Sequence, residues 1–169
     1  MSDRSHLLID SLQLQPHPEG GYYRELYRSE LTVSQPSGSM PTVEHLLPGS
    51  GRSAVTTIYF LLEKGQVSRW HRVDADEIWH FYEGDPLKLY LMPPDFSSLE
   101  IHPLGEVSDT TQPVFVVKAG WWQAAEPAGD YALCGCSVAP GFEFSGFDFL
   151  SEGAKETVSA QHPHLDYLL

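Results

Sequence analysis

The chain has 169 residues, the size of one ordinary domain, and with 41% hydrophobic and 12% aromatic residues it has the material for a packed core. Ten basic against 23 acidic residues leave a net charge of −13, which repels phosphate backbones and anionic lipid. Neither nucleic acid nor a membrane surface is therefore an expected partner. Fourteen Gly and 13 Pro interrupt the sequence too often for long helices and predict a turn-rich, many-stranded fold.

In chain order, residues 4–14 carry Leu7, Leu8, Ile9 and Leu12 and predict one short amphipathic helix, stopped by Pro16 and Pro18. A polar N-terminus and the lack of any 18-residue apolar window give no sign of a signal peptide or a membrane span. Residues 22–28 suit a strand, and 34–51 suit a loop. Further strands are predicted over 53–63, 66–73, 77–83, 86–92, 98–104, 113–119, 121–126 and 130–139. Eight or more short strands with almost no helix between them imply an all-β antiparallel sandwich or jelly-roll barrel preceded by a short helix. The expected organisation is one domain over 1–169, with its core at about 20–150 and an irregular tail beyond Ser151. Cys134 and Cys136, two apart on a strand, share a face and read as small buried residues. Reduced thiols without a targeting signal give a cytoplasmic expectation.

The informative stretch runs from Gly65 to Gly84. Gly65, His71, Glu77 and Gly84 resemble the first signature motif of the cupin superfamily, with Val73 standing where that motif has a second histidine. The second cupin motif resembles 118–123, where Lys118 replaces a proline and Gln123 replaces the third histidine. A narrower resemblance is to a small cupin family labelled as a domain of unknown function. It is carried by the entry motif His17-Pro18-Glu19-Gly20-Gly21-Tyr22-Tyr23-Arg24 and by segments 53–62, 76–80 and 138–142. The matches span about residues 7–150.

A cupin metal centre usually takes three His and one Glu. Here His71 and Glu77 remain, Val73 cannot ligate and Gln123 offers a weak carbonyl oxygen. No tightly held cofactor is expected; a weakly bound divalent metal would fall on His71, Glu77 and Gln123. Strand parity extends the interior wall. If His71 and Glu77 face inward, Arg69 and Trp79 do so too, as does Trp121 beside Gln123, while His80 points away. Arg24 is the candidate for an anionic substituent on a ligand. Thr57 and Tyr59 share a face and are candidate hydrogen-bonding groups. His17 and Glu19 are expected to fix a Pro/Gly turn, and His162 and His164 to be solvated.

Three functions compete. One is a metal-independent enzyme acting on a small polar metabolite, with His71 and Glu77 as a proton-transfer pair; cupin-type sugar epimerases are the precedent by resemblance. The second is a metal-dependent oxygenase or isomerase, and the third a non-catalytic ligand-binding or storage cupin. A homodimer is also expected, because strand 54–62 is apolar on both faces. The N-terminal helix is the alternative cover for that surface.

Overall fold

The computed structural model describes residues 3–33 and 51–169. The predicted loop, apart from Gly51, lies outside the described residues. In chain order the elements are α1 (Asp3–Leu12), β1 (Gln15–Pro16), β2 (Tyr22–Arg28), β3 (Thr32–Val33), β4 (Arg52–Ser53), β5 (Thr56–Glu63), β6 (Ser68–Val73), β7 (Asp76–Gly84), β8 (Leu87–Met92), β9 (Glu100–Leu104), β10 (Val114–Val117), β11 (Trp122–Pro127), β12 (Tyr131–Ala139), β13 (Phe147–Phe149) and α2 (Glu152–Gln161). The predicted helix and strands are present within a few residues. The tail differs, because Ser151 accepts a hydrogen bond from the Ala154 N–H and caps a ten-residue helix.

Two antiparallel sheets face each other. One has the order β1-β2-β5-β12-β7-β10 and the other β13-β6-β11-β8-β9. From β5 to β13 every connection except β8–β9 changes sheet. This alternation makes the pair of sheets a jelly-roll sandwich.

Three apolar layers hold it. Between the sheets lie Phe60, Leu62, Trp79, Leu87, Leu89, Leu91, Leu104, Val117 and Ala125, all buried. Behind the five-stranded sheet, Trp70, Tyr90, Met92 and Trp122 pack against Val158 of α2 and against Leu165 and Leu168. Behind the six-stranded sheet, α1 lays Leu8 over Leu61 and Leu133, with Tyr59 alongside. The second apolar face of β5 is thus covered in part within the chain. Tyr27, Tyr82, Val114 and Val116, on the same side of that sheet by their register, remain exposed.

Among the described residues three single-residue register shifts occur, and the two in β2 and β6 decide which side chains face the cavity. In β2, Glu25 pairs with Ile58 but Tyr27 with Thr57, so Leu26 is the extra residue. In β6, Gln123 and Ala125 of β11 pair with His71 and Ser68, so β6 carries one residue too many between them. Each bulge resets the two-residue alternation beyond it.

Candidate functional site

One end of the inter-sheet space stays open as a cavity of about 160 Å³. Its wall carries His17, Glu19, Glu25, Arg28, His71 and Glu77, with Tyr23, Thr56, Ile58, Cys136 and Val138 from the six-stranded sheet and Phe142, Phe144 and Phe147 closing the side. In β2 the inward set is Tyr23 and Glu25, and the Leu26 bulge turns Arg28 to the same side. In β6 the bulge leaves Ser68, His71 and Val73 inside.

The turn from His17 to Gly21 delivers Glu19 to this cavity. Gly20 and Gly21 both have positive φ, at 122° and 68°, which side-chain-bearing residues rarely adopt. A Cβ on Gly20 would run into the Val67 carbonyl, and one on Gly21 would sit 2.5 Å from that of Leu61. The close approach lets the Arg69 N–H donate to the Glu19 carbonyl at 3.0 Å and the Ser68 hydroxyl donate to Glu19 Oε1 at 2.9 Å.

At the base of the cavity, His71 Nδ1 lies 2.7 Å from the Arg69 carbonyl, which can only accept, so Nδ1 carries a proton. In neutral His71, Nε2 is therefore an acceptor, and it lies 3.2 Å from Glu19 Oε2. Two acceptors do not bond without a proton between them, so the pair holds one. Burial favours the neutral carboxyl, pushing Glu19 above the usual carboxylate range while His17, Ser68 and Arg69 pull it down. Burial also holds His71 below its ordinary value, against the opposing pull of Glu77 and the Arg69 carbonyl. Glu77 is raised by burial too, with His71 lowering it, Glu19 raising it, and bonds from Gln123 and Cys136 lowering it.

A second chain of bonds orients Glu77. Trp79 Nε1–H donates to Gln123 Oε1 at 3.0 Å, and Gln123 Nε2 donates to Glu77 Oε2 at 2.5 Å. An indole N–H can only donate, so it fixes the direction of the amide. Gln123 and Trp79 are buried in the core behind Glu77 rather than set in the cavity wall.

Several predicted ligand-binding residues therefore lie elsewhere. Arg24 is on the opposite face of β2, where it donates to Gln13. Thr57 accepts from Ser137, and Tyr59 packs beside α1, both on the far face of β5. Arg69, displaced by the β6 bulge, is exposed, bonds the Pro18 carbonyl and lies over Phe149. Trp121 packs against the inter-sheet core. His80 pairs with Val114 and Gly135 on the outward side of β7, as the parity implies. His17 and Glu19, expected to fix a turn, do so and also line the cavity.

The family model for the cupin superfamily (DUF985) matches residues 6–150. This chain belongs to the cupin superfamily. It is 31% identical over 152 residues to the uncharacterised protein YML079W of Saccharomyces cerevisiae, covering 85% of this chain and 73% of that one. Protein SO0799 from Shewanella oneidensis superposes with a TM-score of 0.75 at 33% identity, over 98% and 94% of the two chains. A hypothetical protein from Leishmania major gives 0.77 at 28%, over 97% and 96%. An oxalate decarboxylase of Bacillus subtilis, 16% identical, shares the fold at 0.55 over 34% of its length.

The metal set implied by the cupin motifs does not fit here. Gln123 spends its oxygen on Trp79 and turns its nitrogen, which is no ligand, toward Glu77. Among the described residues no group of three His, Cys, Asp or Glu is arranged to hold a metal ion. Nor is any helix among them long and apolar enough to cross a membrane.

Proposed function

We propose that this cupin binds a small polar metabolite in the cavity and moves a proton on it, as a metal-independent isomerase or epimerase of a sugar derivative does. The observation that carries the reading is the Glu19–His71 contact. A single proton lies between a carboxyl and an imidazole whose other nitrogen is tied to a backbone carbonyl. Burial draws the ordinary proton affinities of the two groups toward each other, which suits proton exchange between them.

In the step proposed, a base at the cavity floor, Glu77, takes the proton from a carbon next to a carbonyl, while His71 holds the proton it shares with Glu19. The C–H electron pair becomes the C=C bond of an enediol as the carbonyl oxygen accepts the proton held between Glu19 and His71. Return of a proton to the neighbouring carbon, or to the other face of the same carbon, gives the isomer with no net redox change. Glu77, held by Gln123, keeps a fixed direction through the step.

The test is to incubate the protein with a panel of aldoses, ketoses and their derivatives in D2O and to follow deuterium at the carbon next to the carbonyl. Exchange above the uncatalysed rate, lost in His71→Asn, is expected. No exchange with any compound contradicts the reading, and saturable binding without exchange favours a non-catalytic binding cupin. The exposed Tyr27, Tyr82, Val114 and Val116 support a homodimer through the outer face of the six-stranded sheet. Sedimentation at micromolar concentration then gives twice 18.9 kDa, and a monomer mass refutes it.

A further inference from the structure

The mouth of the cavity is short of free positive charge. Of the side chains in its wall, four are glutamates (Glu19, Glu25, Glu77 and Glu143) and one is an arginine, Arg28. That arginine is committed. Its Nε and Nη2 donate to the two oxygens of Glu25 at 3.2 and 2.9 Å. Its Nη1 donates to Glu143 at 3.0 Å and to the Phe142 carbonyl at 3.1 Å. Four of the five guanidinium N–H bonds are used, so little remains for an incoming anion. The neighbouring cations do not line the cavity: Arg52 bonds Asp74 and the Gly141 carbonyl, with its buried Nη2 left unpartnered, and Arg72 bonds Asp148. One positive charge between two carboxylates leaves the mouth net negative, on a chain that is itself strongly acidic.

Two independent features give this negative mouth a ligand to face. Phe144, in the cavity wall, is 59% exposed and meets Phe142 edge-on at 5.0 Å, so an aromatic surface is open beside Glu143. A ring face and a carboxylate together attract an ammonium group. Deeper in, the His17 side chain is only 7% exposed and its Nδ1 accepts from the Glu19 N–H at 3.3 Å. In neutral His17 the proton is then on Nε2, a donor with no partner among the described residues, in the cavity wall. It suits a hydroxyl or carbonyl oxygen.

We infer that the cavity selects an amine-bearing polyhydroxy ligand and rejects its phosphorylated or carboxylated counterparts, the ammonium lying at Glu25, Glu143 and Phe144 and an oxygen on His17. This deepens the proposed function by naming the substrate class, and it rests on that reading only in taking the cavity as the ligand site. It also reverses the expectation that Arg24 meets an anionic substituent, since Arg24 lies on the other face of β2.

The experiment uses three matched probes: glucosamine, glucose and glucose 6-phosphate. Each is titrated against the full chain, following the backbone amides of 142–147 and the His17 ring by NMR. Glucosamine is expected to saturate those shifts at the lowest concentration, glucose next and glucose 6-phosphate last. Adding salt should narrow the gap between the amine and the neutral sugar. Glu143→Gln, an exposed change, should cut the glucosamine preference over glucose about twofold to fivefold, the worth of one exposed charged contact, and leave glucose unchanged. Equal or tighter binding of glucose 6-phosphate overturns the inference, as does a preference that Glu143→Gln does not move. Failure of all three probes to shift these signals also overturns it. The proton-transfer reading is judged separately by deuterium exchange, so the two failures are distinguishable.

Discussion

The two ends of the inter-sheet space are built from opposite materials. At the β8–β9 end, Leu62, Leu87, Leu89, Leu104 and Ala132 fill the gap and exclude water. At the other end the same two sheets enclose His17, Glu19, His71 and Glu77, all buried or nearly so, around an open volume. Buried ionisable groups destabilise a fold unless they are bonded, and here each is bonded to a neighbour, a backbone group or both. The apolar end therefore carries stability, and the polar end gives some of it up to keep proton-exchanging groups beside a cavity. Gln123 and Trp79 mark the border between them.

The largest expected effect lies at the polar end. His71→Asn should lower deuterium exchange by about 10²-fold or more, the usual worth of a positioned acid–base group, and cost about 1–3 kcal/mol for the buried Glu19 carboxyl that loses its partner. An exchange rate unchanged by this substitution breaks the comparison.

Leu89→Ala tests the apolar end. Removing this fully buried side chain should cost about 2–5 kcal/mol in denaturant unfolding while exchange per folded molecule stays the same. At the border, Trp79→Phe keeps the ring but removes the donor that fixes Gln123. It should cost about 1–3 kcal/mol for the orphaned amide oxygen and lower exchange less than His71→Asn does. Leu89→Ala, by contrast, is expected to lose stability without rate.

The smallest effect is a change of slope with pH. Glu19 is raised by burial, so its contribution to stability is fully present below its ordinary value of 4.5 and is lost as pH rises toward its folded value. The buried histidines work the other way. His71, lowered by burial, contributes fully above its ordinary 6.5 and loses that contribution as pH falls. Glu19→Gln removes only the first slope. The melting temperature of the variant relative to the parent should therefore climb as pH rises above 4.5, and a difference that does not move with pH counts against a buried, raised Glu19.

The architecture is legible in the sequence because Gly and Pro spacing marks the strand ends and the period-three-to-four leucines mark α1. His71 and Glu77 are legible from the cupin-like spacing alone. Arg69 is misplaced because parity assumes an unbroken strand, and one extra residue in β6 turns it outward and Ser68 inward. The Leu26 bulge likewise hides Arg28. Thr57 and Tyr59 are ambiguous because β5 is apolar on both faces, one toward the core and the other toward α1. Glu19 gives no local signal of its role, since it meets His71 only when Gly20 and Gly21 fold the entry turn against β6, some fifty residues on. Phe147 is missed with the short strand β13, which pairs with β6 and stacks the ring on His71 at 5.2 Å. The tail helix has a readable sign in Ser151, a capping residue followed by Glu152.

The state of the His71 ring tests the central claim most directly. Nitrogen NMR of the imidazole, followed as pH is lowered from neutral, should show one protonated nitrogen, Nδ1, and an unprotonated, hydrogen-bonded Nε2. That pattern should persist as pH passes the ordinary histidine value of 6.5, because burial holds the ring neutral and Glu19 keeps the shared proton. A ring carrying protons on both nitrogens at neutral pH, or one with its proton on Nε2, contradicts the account.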